Sequence, residues 1–262
     1  MTVTWQQRYN GFCETPDIFE EGRSPFSQFL SMFPVEALST IPMSHRIGHV
    51  AEEFLERCLK SHDDYSIVSQ NLQLIDNGIT KGELDFIIRS ARELIHLELV
   101  YKFYLYDPAV SDALSCWVGP NRKDLLSLKV EKLQNHQLPI GLDPLWSQKL
   151  DEVGVVQSDL IQKVLFKGHL FLPEGEEMPN GMNLDAYAGS WMSWEKFKSI
   201  QDDVIIPERK DWFIWNVPDE LDWMSNLEGK QVVESYISEK RSPMVWLKDK
   251  QGSTRRVFVV WW

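Results

Sequence analysis

The sequence predicts an α/β (α+β) fold in which helices cover a β-sheet. Three observations predict it. A helical pattern runs through SHRIGHVAEEFLERCLK, three strand-like runs follow at once, and a second helical pattern comes after a GPN loop. A chain of 262 residues can bury a sizeable core, as one large domain or two small ones.

The first forty residues read as loop. ETPDIFEEGRSPF mixes Pro, Gly and acids, so residues 1–40 are expected to form an arm or wrapping segment. The first helical pattern is explicit. At about 100° per residue, Ile47, Val50, Ala51, Phe54, Leu55, Cys58 and Leu59 fall on one arc, and Ser44 is an N-cap candidate. Glu56 projects to the polar side. Glu52 lies about 20° beyond the apolar arc, one turn after Gly48. A glycine there would let another backbone approach and let Glu52 lean into the covered sheet. A solvated helix glutamate is the plainer reading.

Three strands are expected next, roughly over residues 65–75, 83–88 and 95–106, with the tight-turn signature DNG at Asp76 to Gly78. Side chains alternate along a strand. Glu83, Asp85 and Ile87 would share one face of the second, opposite Leu84, Phe86 and Ile88. His96, Glu98, Val100, Lys102 and Tyr104 would share one face of the third, opposite Leu97, Leu99, Tyr101, Phe103 and Leu105. The charges thus gather on one side of neighbouring strands. The second helix, RKDLLSLKVEKLQNHQLP, is expected to end at Pro139. Gln137 falls on its apolar stripe with Leu126, Val130 and Leu133, where a polar side chain needs a partner.

The later sequence is Trp-rich: eight of the 11 tryptophans follow residue 190. LIQKVLFKGHLFLP reads as helix or strand. KDKQGS reads as a hairpin turn joining residues 244–248 to 255–262. The tryptophans fit core and corner packing better than a platform for stacked bases, because few basic residues interleave with them.

Composition excludes some classes. No apolar run approaches the ~20 residues of a membrane helix. MTVTWQQRYN has no basic start followed by an apolar stretch, so no secretory signal is expected. Cys13, Cys58 and Cys116 are few and scattered, which suggests reduced thiols in a cytoplasm. A net charge of -12 argues against a general polyanion binder, though not against a local basic groove. It also suits a site that gathers carboxylates around a cation.

Buried carboxylates are costly unless paired, hydrogen-bonded or metal-bound. Asp85 and Glu98 offer oxygen ligands of the kind that suit Mg2+ or Mn2+. Such an ion would lower the pKa of a bound water and neutralise charge on a phosphate. Lys102 could stabilise that phosphate, Glu52 could complete the metal shell, and Gln137 could orient a group. His96 faces the same way as Glu98 and could support it.

A helix glutamate, a strand aspartate and a following strand with Glu and Lys resemble the PD-(D/E)XK nuclease-like superfamily. RIGHVAEEFLE, NLQLIDNGITKGELDFIIR, HLELVYKFYL and WVGPNRKDLLSLKVEKLQNHQL, with GHLFLP, GSW and the final VFVVWW, more closely resemble a bacterial family of unknown function, DUF1853, assigned to that superfamily. The resemblance implies a mixed central sheet flanked by helices. It implies a restriction-endonuclease-like core over residues 41–145, and a Trp-rich C-terminal half, 146–262, that packs on or extends it. It carries a catalytic role onto Asp85, Glu98 and Lys102, with Glu52 as helper. One departure matters: the superfamily lysine lies two residues after Glu, where this chain has Val100. Lys102 lies ~13 Å along the strand from Glu98; its long stem or a β-bulge could shorten this, or the lysine is structural and pairs with Asp107 or Glu83. The expectation is a metal-dependent nuclease acting on DNA or RNA. The alternatives are a catalytically inactive member that binds nucleic acid or protein, and an interaction module using the Trp-rich half, with homodimer formation as one outcome.

Overall fold

The computed structural model describes residues 3–29, 37–38, 42, 46–217 and 221–262. Among these residues, nine strands form one mixed sheet. They are β1 (Tyr65–Asp76), β2 (Ile79–Ser90), β3 (Leu94–Tyr106), β4 (Trp117–Val118), β5 (Leu160–Pro173), β6 (Tyr187–Ser193), β7 (Asp203–Ile205), β8 (Met244–Lys248) and β9 (Thr254–Val260). The order is β1-β2-β3-β5-β6-β9-β8-β7, with β4 on β3. The pairs β3–β5, β5–β6 and β6–β9 are parallel, and the others antiparallel. One sheet therefore runs through both halves of the chain, with helices on its faces.

β3 is near-continuously apolar because both its faces are covered. Leu97, Tyr101, Phe103 and Leu105 join the core built on helices α1 (Trp5–Glu14) and α2 (Ile47–Lys60). Val100 and Tyr104 join a second core, built on helix α3 (Leu126–Lys132). The DNG turn places Asn77 and Gly78 both at positive φ, as a two-residue hairpin requires.

α1 corrects the reading of the whole N-terminal stretch as loop. Thr4 accepts from Gln7 N–H while the Gln7 side chain accepts from Thr4 N–H, a capping box. Beyond α1 the chain does wrap the sheet: Asp17 bridges Lys167 and Gln28 bridges Val164. α2 begins after Arg46; Ser44 lies outside the described residues. Among the described residues no second backbone approaches Gly48. A Cβ there would meet nothing within 4 Å among the described residues.

The alternation expected along β2 breaks at Asp85. Leu84 packs with Ile87 and Trp146, while Phe86 and Ile88 pack in the core of α2. Asn71 falls between the pairs Gln70–Phe86 and Leu72–Leu84 and has φ of 50°, which turns the backbone sharply there. Pro139 does not end the second helix either. α3 passes into a π-helical turn, Leu133–Gln137, where Leu138 N–H reaches Leu133 O. One further turn, α4 (Leu138–Ile140), carries the proline near its start. The wider turn tolerates the missing N–H.

Three further α-helices follow among the described residues: α5 (Ser147–Glu152), α6 (Trp194–Ser199) and α7 (Asn226–Ser238). None of the eleven tryptophans is exposed, so they are packing groups rather than an open platform. The cysteines are free thiols, and the Cys13 and Cys58 sulfurs lie 3.6 Å apart. No helix among the described residues is long and apolar enough to cross a membrane.

Candidate active site

β2 and β3 are paired only from Phe86–Leu97 to Arg89–Leu94. Beyond that point, at Asp85 and Glu98, the strands separate. Asp85 Oδ2 takes over where the ladder stops and accepts Leu99 N–H at 3.0 Å. Glu98 is fully buried. Its Oε1 accepts from His96 Nε2 at 2.9 Å and its Oε2 from Gln137 Nε2 at 2.5 Å. Gln137 is the polar residue on an apolar stripe, and the π-helical turn delivers it to this partner. Its Oε1 accepts in turn from Lys129 Nζ at 2.7 Å. Lys129–Gln137–Glu98–His96 is therefore one hydrogen-bonded row across β3 and α3.

The two carboxylates feel each other. Burial, followed by the Glu98 charge, pushes the Asp85 carboxyl up to about 7. Burial also raises Glu52, and its environment includes Glu83, Glu53 and Glu98. Its side chain is 26% exposed, with His49 Nδ1 at 3.8 Å. Glu52 thus belongs to the same electrostatic cluster from the α2 side. Lys129 is the nearby cation acting on both Asp85 and Glu98. Burial lowers its pKa and the Glu98 carboxylate pulls it back up.

Lys102 does not join this group. Its Nζ pairs with Asp124 Oδ2 at 2.5 Å, a partner other than the Asp107 or Glu83 expected from sequence. Lys129 is the residue that sequence reasoning missed. It sits on the same helical pattern as Gln137, next to the apolar Val130, which was the only signal available.

Asp85, Glu98 and Glu52 offer oxygen donors only. Asp85 Oδ1 has no hydrogen-bond partner among the described residues. Two mutually repelling carboxylates fit Mg2+ or Mn2+, which need one or two and otherwise keep waters. Among the described residues, no group of three His, Cys, Asp or Glu side chains is gathered as a preformed cage.

Neither a curated protein nor a solved structure matches the chain. A family model does, over residues 4–260, and its description is Domain of unknown function (DUF1853). That match takes in the split strands, the helix with Lys129 and Gln137, and the C-terminal strands, so the chain belongs to the DUF1853 family.

Proposed function

We propose that the protein is a metal-dependent phosphodiesterase of nucleic acids with a PD-(D/E)XK-like, restriction-endonuclease-like core. The observation that carries this reading is the pair of half-buried Asp85 and buried Glu98, opposed where β2 and β3 part, with the Lys129 ammonium as neighbouring cation. Such costly arrangements are kept where chemistry needs them.

Asp85 and Glu98 would hold Mg2+ or Mn2+, with Glu52 contributing directly or through water. A bound ion of this kind supplies an activated water and neutralises phosphate charge. The chain's own residues set the stage for it. Leu99 N–H fixes one oxygen of Asp85, and His96 and Gln137 fix the rotamer of Glu98. Lys129, held by Gln137, places a positive charge beside the carboxylates, where negative charge on the phosphate would grow. In this reading Lys129 takes the part that the family resemblance gave to Lys102.

The test is cleavage of single-stranded, duplex and branched DNA and RNA with Mg2+ or Mn2+. Asp85→Ala is expected to lose at least about 100-fold, and Lys129→Ala to lower kcat by a similar factor. If wild type cuts no substrate above the Asp85→Ala background with either metal, the enzymatic reading is lost.

A second reading has its own observation: both Glu98 oxygens are already engaged by protein donors. It makes the chain a catalytically inactive member of the fold that binds nucleic acid or protein. Binding without cleavage in the same assay would favour it.

A further inference from the structure

A second site lies farther along β3. A cavity of about 490 Å3 opens between the start of α2, the loop 119–124, and segments 206–212 and 241–244. Four cations line it: Lys102, Lys123, Arg209 and Arg241. Asp124 is the one carboxylate lining it among the described residues, and Lys102 already pairs with it. In a chain of net charge -12 this is a local reversal of sign. Lys123 and Arg209 make no ion pair among the described residues.

α2 adds a second feature. Ile47 and Gly48 line the cavity, the first turn holds no acid, and Arg46 supplies no side-chain cap. The dipole of this 14-residue helix, and first-turn N–H groups that take no side-chain cap among the described residues, favour an anion. Among the described residues nothing lies within 4 Å of a Cβ at Gly48, which leaves the first turn approachable. Aromatic surfaces complete the lining. The Arg209 guanidinium lies 5.6 Å from the Trp212 ring centroid and that of Arg241 4.7 Å from Tyr236.

We propose that this cavity binds a nucleotide. The phosphate is met by the start of α2 and the unpaired cations, and the base by the aromatic and guanidinium surfaces. The volume falls within the range of small-ligand pockets. The inference rests on the nuclease reading only for the nucleotide's source. Lys102, at the cavity, and Glu98, at the carboxylates, lie on one strand ~13 Å apart. One nucleic acid strand could thus have a terminal phosphate in the cavity and a phosphodiester at Asp85 and Glu98.

Calorimetric titration with adenosine 5′-monophosphate, without metal, tests the site. Adenosine is expected to bind at least 10-fold more weakly than the nucleotide. The Lys123→Ala/Arg209→Ala variant is expected to lose at least 10-fold, with unfolding temperature unchanged. Gly48→Glu, which sends a carboxylate into the same space, is expected to abolish binding. A 5′-phosphorylated hexanucleotide that binds more tightly than the mononucleotide and displaces it assigns the site to a strand end. Equal affinities assign it to free nucleotide, and both results support the cavity. No binding at millimolar nucleotide, or equal affinity in the double variant, overturns the proposal. Nucleotide binding without cleavage would sink the nuclease reading alone, and cleavage without nucleotide binding would sink this one alone.

Discussion

Asp85 bears the cost of the split in the sheet. Its carboxyl rises from 3.8 to about 7 through burial and then through the Glu98 charge. A carboxyl with a raised folded pKa holds a proton that the unfolded chain has already released. Stability therefore falls as pH climbs from about 4 to about 7, and the full loss is present above that. Asp85→Asn is expected to stabilise the fold by on the order of 2 kcal/mol at pH 8 and negligibly at pH 3, read from urea unfolding across pH. An equal effect at both ends would rule out charge as the cause. The same carboxylate gives a metal test that needs no substrate. Binding a cation requires the ionised form, so millimolar Mn2+ should raise the unfolding temperature more at pH 8 than at pH 5. Asp85→Asn should reduce that rise, and a rise independent of both pH and Asp85 would count against the site.

At the scale of elements, two glycines in helices make a matched pair. A Cβ on Gly11 of α1 would stand 2.2 Å from the Phe213 carbonyl oxygen, backbone that cannot step aside. Gly11→Ala should cost about 1–3 kcal/mol despite alanine's better helix propensity. Gly48 of α2 has no described residue within 4 Å of its Cβ position, and Gly48→Ala should gain up to about 0.5–1 kcal/mol. Chemical denaturation of both variants checks the pair, and equal signs would contradict these close-approach distances. The helix after the GPN loop carries a different lesson. Its apolar stripe is readable in sequence, yet its π-helical turn is what brings Gln137 to Glu98 and positions Lys129 behind it.

At the scale of the molecule, β5 stands between β3 and β6 and pairs with β3 from Leu94–Leu160 to Leu105–Phe171. A buried row ties the C-terminal strands to the same place. Arg256 of β9 donates to His169 Nδ1, His169 Nε2 meets Tyr101 OH at 2.7 Å, and Tyr101 OH meets Thr15 Oγ1 at 3.0 Å. Thr15 in turn donates to Gly11 O. Burial and the Arg256 charge keep His169 well below its ordinary pKa, hence neutral and able to accept from Arg256. A fragment ending near residue 150 lacks β5 and Arg256 and should show no cooperative unfolding and little near-ultraviolet circular dichroism. A sharp transition in that fragment would mean that the first half folds alone.

The sequence by itself determined what local periodicity encodes: the apolar face of α2, the DNG-linked strands, the helix leading to Gln137, and the nearness of Asp85 to Glu98 on adjacent strands. These follow from side-chain spacings of 3.6 and 2 residues, which need no knowledge of distant chain. Tertiary structure alone decided the break in alternation at Asp85, the pairing of Lys102 with Asp124 while Lys129 lies by the carboxylates, the helix in the N-terminal arm, and the cationic cavity beside β3. Each of these turns on which charge, carbonyl or ring from elsewhere in the chain comes to lie within a few ångströms. Periodicity cannot express that: burial and Coulomb energies depend on distance in space rather than separation along the chain.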